Sequence, residues 1–317
     1  MNTPFQHHLL HDLLRDHPVN PVNDTELLPG PAKPGLAEFP PITHFYVQTY
    51  QQPGGSMCAK FDAALLPEYD DDALRMSFGA YPSNPRAWSL ASEEDCRGWF
   101  DAEISNIVLA AWGHYPGVIS VSQPTPASNK VINGLGVIKQ NVIDVGEWLV
   151  GSLFTYRQRQ LSRELREYAY AYDCPQVFCF DGKSFLMLQF RVDSPEFIKD
   201  PDCPVDCWVF PRDNVGGCAI RYAFYRLMAQ GLRRYQSFWP LLRYLADVPI
   251  HSRVFFNGQP IWRVGRYITQ ENPDGYVRQV DRNTGSFYWK YVGPWQYPER
   301  ERPRTIDTGA LWNPPSR

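Results

Sequence analysis

No stretch of this chain approaches the ~18–20 consecutive apolar residues that a membrane-spanning helix needs. The longest candidates, residues 107–112 and 148–154, stop far short of that length. The sequence opens Met-Asn-Thr-Pro-Phe-Gln-His-His, without a basic segment followed by an apolar one, so no secretory signal is expected. Cysteine is sparse, 7 among 317 residues and an odd number. That pattern predicts free thiols in a reducing compartment rather than a disulfide framework. The expectation is an intracellular protein, of cytoplasm or nucleus, without membrane attachment.

Familiar catalytic signatures are also missing. There is no Gly-x-Ser-x-Gly elbow, and Gly54-Gly-Ser-Met-Cys58 lacks the strand–turn–helix setting such a nucleophile requires. Gly134-Leu-Gly136 has no third glycine of a dinucleotide loop, and no P-loop occurs.

What is present is apolar and aromatic. Hydrophobic residues make up 44% of the chain and aromatics 15%, enough for a large core in one big domain or two smaller ones. The net charge of −3 is unevenly spread. Residues 1–150 hold 8 basic and 17 acidic side chains, and residues 151–317 hold 23 and 17. The basic second half leaves nucleic acid open as a partner, although a pI near 6.2 does not favour it.

Three regions are expected. Residues 1–42 form a proline-rich N-terminal arm, with seven prolines between Pro18 and Pro41 that favour extended, surface-lying chain. Before them, residues 5–15 read as a short amphipathic helix with a leucine face. Residues 43–250 form a mixed α/β core, and residues 251–317 a β-hairpin-rich C-terminal region. Within the core, residues 43–49 are strand-like and Asp70-Asp71-Asp72 reads as a solvated turn.

The pattern sharpens over residues 92–191. Ser92-Glu-Glu-Asp95 resembles a helix start, a hydroxyl cap followed by acids. The helix should run to Trp112 with Trp99, Phe100, Ile104, Ile107, Val108 and Ala111 as its apolar stripe, which places Glu103 on the buried-looking face. Strands are expected over 118–122, 130–132 and 135–140, with a turn over 124–129. Residues 145–172 read as largely helical, ended by Cys174-Pro175. A hairpin follows, 177–180 and 184–190, around Asp181-Gly182 as a type I′ turn. A second helical stretch begins at Ala219, after Gly216-Gly217. Further on, hairpins are expected around Asn257-Gly258 and Asn283-Thr-Gly285.

This order of elements, with the hairpin Cys174-Pro-Gln-Val-Phe-Cys-Phe-Asp-Gly-Lys-Ser-Phe-Leu-Met-Leu-Gln-Phe190, resembles the last part of restriction-endonuclease-like, or PD-(D/E)XK, domains. The resemblance covers about a third of the chain. The chain is also similar to uncharacterised proteins of filamentous fungi. The nuclease resemblance implies an α+β restriction-endonuclease-like core in which a helix Glu, an Asp and an (Asp/Glu)-x-Lys hold Mg²⁺ for phosphodiester hydrolysis. Glu103 matches the helix Glu and Lys139 the Lys. Val137 stands where the family has a carboxylate, and Asn129 near its Asp, so the pattern is degenerate. Asp144 or Glu147 could take the missing positions. Glu103 reads as well as a buried acid paired with an arginine or a backbone donor.

Other groups are weaker candidates. His7 and His11 share a helical spacing, with His8 beside them, but no Glu of a His-Glu-x-x-His motif stands between. Cys203 and Cys207 are close to zinc-ligand spacing. Cys174, Cys179, Cys218 and His251 do not form a second pair, and buried thiols packing as small hydrophobes is the simpler reading. Arginines recur among aromatics: Arg157, Arg159, Arg163 and Arg166, then Arg221, Arg226, Arg233, Arg234 and Arg243. They suit phosphate contact with base stacking, or equally an interface between helices or subunits.

Three functions are therefore expected from sequence. The first is a pseudoenzyme, a nuclease-fold module that has lost catalysis and binds nucleic acid or a protein partner. The second is a Mg²⁺-dependent phosphodiesterase with migrated ligands. The third is an enzyme acting on a small molecule in an aromatic pocket. The sequence sets no oligomeric state.

Overall fold

A computed structural model describes residues 8–30, 38–65, 68, 70–113, 134–192, 194–237, 250–253, 260–264, 267–269, 276–280, 287–291 and 304–307. The expected strands at 118–122 and 130–132, the turn over 124–129, and the turns at Asn257-Gly258 and Asn283-Thr-Gly285 lie outside the described residues.

The core elements, in chain order, are helix α1 (Leu10–Arg15), strand β1 (Phe45–Val47), helix α2 (Asp70–Met76), helix α3 (93–112), strand β2 (Leu135–Ile138), helices α4 (Val145–Val150) and α5 (Tyr156–Ala171), strands β3 (Gln176–Phe180), β4 (Ser184–Phe190) and β5 (Val205–Pro211), and helix α6 (Ile220–Ser237). Helices and strands are mixed, which makes the chain α+β. The five strands form one sheet in the order β1-β5-β4-β3-β2. The β3/β4 and β4/β5 pairs are antiparallel, and the edge pairs β2/β3 and β5/β1 are parallel.

Side chains alternate across the sheet because successive Cβ atoms point to opposite faces. Phe178, Phe180, Phe185, Met187, Trp208 and Phe210 meet α1, α3 and α6. Val177, Cys179, Leu186, Leu188, Val205 and Val209 meet α4 and α5. The result is three layers. Being covered on both faces explains why β3, β4 and β5 read as near-continuous apolar runs.

Helix α3 starts as its sequence predicts. The Ser92 side chain accepts from the Asp95 amide, and the Asp95 carboxylate returns a bond to Ser92 N, a capping box. Its stripe stacks on the sheet, Trp99 on Phe180 at 5.0 Å and Phe100 on Phe178 at 5.3 Å. Residues Asp101–Ser105 form a π segment within it. The expected helix over 145–172 is two helices, because Gly151 ends α4 in a left-handed conformation, φ 70°.

Three expectations are corrected. The β3–β4 hairpin forms, but its turn is one residue further on. Phe180 pairs with Phe185 and Asp181 N donates to Ser184 O, so Gly182 and Lys183 are the central residues. Only Gly182 has positive φ, 87°, as a type II′ turn requires. Asp181 is the first residue of that turn rather than a central one, and its carboxylate accepts from the amides of Lys183 and Ser184 within the turn and of Val142 and Ile143 beyond it.

The acidic triplet is not a solvated turn. Asp70 opens helix α2, and Asp72 is fully buried against Arg75 (2.8 Å) and the Tyr225 hydroxyl (2.6 Å).

The first 42 residues are not confined to the surface. Leu10, Leu13 and Leu14 of α1 are buried in the same apolar cluster as α3 and α6, as is Leu27. Ile42 lies in the cluster on the other face of the sheet.

Beyond α6, Ile250–Arg253, Pro260–Val264 and Tyr267–Thr269 form one antiparallel sheet. Tyr276–Val280, Phe287–Tyr291 and Arg304–Asp307 form another, with Tyr276 opposite Tyr291. Among the described residues no helix is long and apolar enough to cross a membrane.

Candidate functional site

Glu103 sits in the π segment of α3, 1% exposed. One carboxylate oxygen accepts from Trp88 Nε1 (2.9 Å) and Asn20 Nδ2 (2.7 Å). The other lies 3.6 Å from the Arg221 guanidinium, whose Nε also donates to the Glu103 carbonyl at 2.6 Å. Burial pulls the Arg221 pKa below its ordinary value, and Glu103 opposes that pull. Glu103 is thus the buried acid paired with an arginine and held by side-chain donors.

Lys139 follows β2 on the other face of the sheet. Its ammonium is 2.7 Å from the Glu164 carboxylate of α5. The Tyr168 hydroxyl donates to the same carboxylate at 3.2 Å. Burial alone would lower the Lys139 pKa, but the hydrogen bond and charge of Glu164 outweigh it and hold the ammonium above its ordinary value. The sheet stands between Lys139 and Glu103, so the two side chains do not converge on one ion.

The acids offered as replacements have other work. Asp144 caps α4 by accepting from Gly146 N and Glu147 N. Glu147 accepts from Phe154 N and Thr155 N, at the start of α5. Val137 packs among the apolar residues under α5, and Asn129 lies outside the described residues. Mg²⁺ is held by oxygen ligands, commonly one or two carboxylates with water. Among the described residues no three of His, Cys, Asp and Glu come together as metal ligands. Glu103 and Lys139 therefore do not fit a shared Mg²⁺ site.

The arginines turn towards the chain itself. Arg157 donates to the carbonyls of Gly30 and Asn141, at 2.9 and 3.0 Å. Arg159 donates to Phe154 O at 2.6 Å. Arg163 is half-buried on α5, its Nε closed off from solvent. Arg166 is fully buried and donates to Asp200 O at 2.7 Å. Arg226 pairs with Asp62 at 2.9 Å and lies over the Phe61 ring. Arg234, 2% exposed, donates to Gln176 Oε1 at 2.8 Å. The Arg233 side chain, and all of Arg243, lie outside the described residues.

Cys203 and Cys207 are both buried, packed in the apolar cluster under α5. His11 bonds to Asp12 and accepts from Arg15 on α1. His8 precedes that helix on a short strand, and His7 and His251 lie outside the residues with described side chains.

Sequence reasoning missed a polar row across the sheet. Gln189 of β4 is the cross-strand partner of Gln176 on β3 and of Asp206 on β5, and Asp206 is the partner of Tyr46 on β1. Gln176, Gln189 and Asp206 are fully buried. Gln176 donates to Gln189 at 3.1 Å, and Gln189 to Ala64 O at 2.8 Å. Asp206 accepts two bonds from Arg191, at 2.6 and 2.7 Å, and one from Gln48 at 2.9 Å. Arg191 then stacks on the Tyr46 ring, 4.5 Å from its centroid. The row runs from the buried Arg234 to the half-exposed Tyr46. The signal was a glutamine or aspartate at a buried position near one end of each of three otherwise largely apolar strands.

A shallow groove of about 220 Å³ lies between residues 41–45 and 151–154. Arg159 is the ionisable residue of its lining. Around the same loop Val150, Phe154 and Tyr156 are 70%, 67% and 68% exposed. Comparison with known proteins finds no matching family model, no similar curated protein and no similar solved structure.

Proposed function

We propose that this chain is a non-catalytic module of restriction-endonuclease-like descent that acts by binding a partner, and that the partner is a protein. One observation carries the reading: Glu103, Lys139 and four of the candidate arginines are engaged within the chain. Glu103 is held by Trp88, Asn20 and Arg221, and Lys139 by Glu164. Arg157, Arg159, Arg226 and Arg234 bond to protein groups rather than presenting a free basic face. Nucleic-acid affinity rests on lysines and arginines free to replace counterions. The exposed apolar group at Val150, Phe154 and Tyr156 supports a protein partner instead.

The test uses the full chain with labelled single- and double-stranded DNA and RNA, at low salt, with and without Mg²⁺ or Mn²⁺. No cleavage and no salt-dependent shift are expected. A shift that weakens steeply with added salt would replace the protein partner by nucleic acid. For the protein partner itself, a photo-crosslinker at Phe154 should give one discrete protein adduct, lost when Val150 and Tyr156 are changed to serine.

A second reading, a phosphodiesterase with a migrated ligand, has one observation in its favour. Glu164 brings a carboxylate to Lys139 from α5, where the resemblance leaves Val137. Metal-dependent cleavage lost in both Lys139→Met and Glu164→Gln would establish that reading and end the first.

A further inference from the structure

Cys58 and Cys218 lie 160 positions apart in sequence, on segments that the fold holds against each other. Cys58 is the middle residue of the short strand Met57–Ala59. Cys218 stands just before helix α6. The Cys218 amide donates to Met57 O at 2.8 Å. Asn214 fastens the same spot from three directions. Its Oδ1 accepts from Met57 N at 2.7 Å, and its Nδ2 donates to Met57 O at 2.8 Å and to Cys218 O at 3.0 Å. A Cβ on Gly217 would collide with Met57 O, so glycine is what permits the approach.

That hydrogen bond bounds the separation of the two α-carbons. One N–Cα bond lies on the Cys218 side and one peptide unit on the Cys58 side. Adding these to the 2.8 Å bond puts the two α-carbons no more than about 7 Å apart. Disulfides span α-carbons about 4.4–6.8 Å apart. Cys58 and Cys218 are the two cysteines of intermediate residue exposure, whereas Cys96, Cys174, Cys179, Cys203 and Cys207 are buried.

We propose that Cys58 and Cys218 are a reversible dithiol–disulfide pair, oxidised by a hydroperoxide and reduced again by a cellular dithiol. With hydrogen peroxide, the Cys58 thiolate attacks one peroxide oxygen, the O–O bond breaks, and Cys58 becomes a sulfenic acid while the departing hydroxide takes a proton from solvent and leaves as water. The Cys218 sulfur then attacks the Cys58 sulfur. The S–O bond breaks, a second water leaves with the remaining thiol proton, and the S–S bond is formed. Two thiols and one hydroperoxide give one disulfide, with two waters in the case of hydrogen peroxide. Burial first, and then the neighbouring Cys58, push the Cys218 thiol up to about 12. Cys218 therefore rests as a neutral thiol, and Cys58 is the sulfur that meets the oxidant. The bond would tie the Met57–Ala59 strand to the start of α6 and close a long loop, which raises stability by restricting the unfolded chain.

The experiment treats the full-length protein with hydrogen peroxide and counts thiols in denaturant. The count should fall from seven to five, and return to seven with dithiothreitol. Peptide mapping without reductant should find Cys58 joined to Cys218. The melting temperature should rise by roughly 3–8 °C on oxidation, and not at all in Cys58→Ser or Cys218→Ser. Mapping of the wild-type protein does not depend on those variants folding. A disulfide-linked dimer through Cys58, or Cys58 oxidised further while Cys218 stays a free thiol, would overturn the proposal.

Discussion

Lys139 and Glu164 form an ion pair between the end of β2 and the middle of α5, at 2.7 Å, with the lysine side chain 19% exposed and the glutamate 5%. Two residues 25 positions apart thus meet across the β2–β3 crossover. Changing Glu164 to Gln leaves a largely buried ammonium without its counter-charge, which should cost about 2–3 kcal/mol of unfolding free energy. The double variant Lys139→Met with Glu164→Gln should recover part of that loss. Urea unfolding of the four proteins of this cycle measures the coupling, and strictly additive losses would show that the pair does not interact. Because Glu164 holds the Lys139 pKa above its ordinary value, the contribution is fully present below the unfolded lysine value. It disappears only as pH rises through the folded one, so it should not vary near neutrality.

The capping box of α3 predicts a pH dependence at the acid end. Hydrogen bonds from Ser92 first, and from the Ala91 amide, hold the Asp95 carboxyl below its ordinary 3.8. A depressed acid stabilises the fold above its unfolded pKa, and the contribution fades as pH falls through the folded value. Ser92→Ala should therefore cost about 1 kcal/mol at neutral pH. The gap between variant and wild type should narrow below pH ~4. A gap that stays constant from pH 7 to pH 3 would rule out the carboxylate as its source.

Asp181 is the acceptor that joins the β3–β4 turn to the segment after β2. Each of its oxygens takes two backbone amides. Asparagine offers one such oxygen and turns an NH₂ towards two donors. Asp181→Asn should destabilise by about 2–4 kcal/mol. Hydrogen exchange should speed up at Val142 and Ile143 as well as in the turn itself. Exchange confined to the turn would mean that the link to residues 142 and 143 is not used.

Gly136 on β2 lies under the Phe178 ring of β3, where an added Cβ would collide with the ring. Gly136→Ala should cost about 1–3 kcal/mol through forced displacement of the aromatic. Pairing it with Phe178→Leu should make the alanine far less harmful than it is alone. Equal losses from alanine in both backgrounds would show that the ring yields without strain.

Much of the fold could be read locally. Helix α3 announced itself through Ser92, Asp95 and an apolar stripe of period 3.6, and the β3–β4 hairpin through two apolar runs about a short polar turn. Both depend on residues near one another in the chain. The errors share a different cause. Asp72 and Asp181 were assigned from their affinity for turns, but each is fixed by distant partners, Tyr225 in one case and the amides of Val142 and Ile143 in the other. The row of Gln176, Gln189, Asp206 and Tyr46 exists only because four strands align in one register. No window of sequence contains it. For the candidate site, the buried face of Glu103 was legible, and its partner Arg221, 118 residues away, was not.

Arg221 also donates to the carbonyl of Leu13, across 208 residues, at 3.3 Å. With Leu10, Leu13 and Leu14 packed beside α3 and α6, the beginning of the chain completes the same interior as α6. A version of this protein begun at residue 43 would expose the apolar surface those leucines cover and leave a buried guanidinium short of an acceptor. Leu10, Leu13, Leu14 and Leu27 are thus part of the folded interior and cannot be cut away when the protein is produced. A fragment limited to residues 92–191, however regular its own pattern, would keep α3 but lose α1, α6 and the strands β1 and β5 of its sheet, and should aggregate rather than fold.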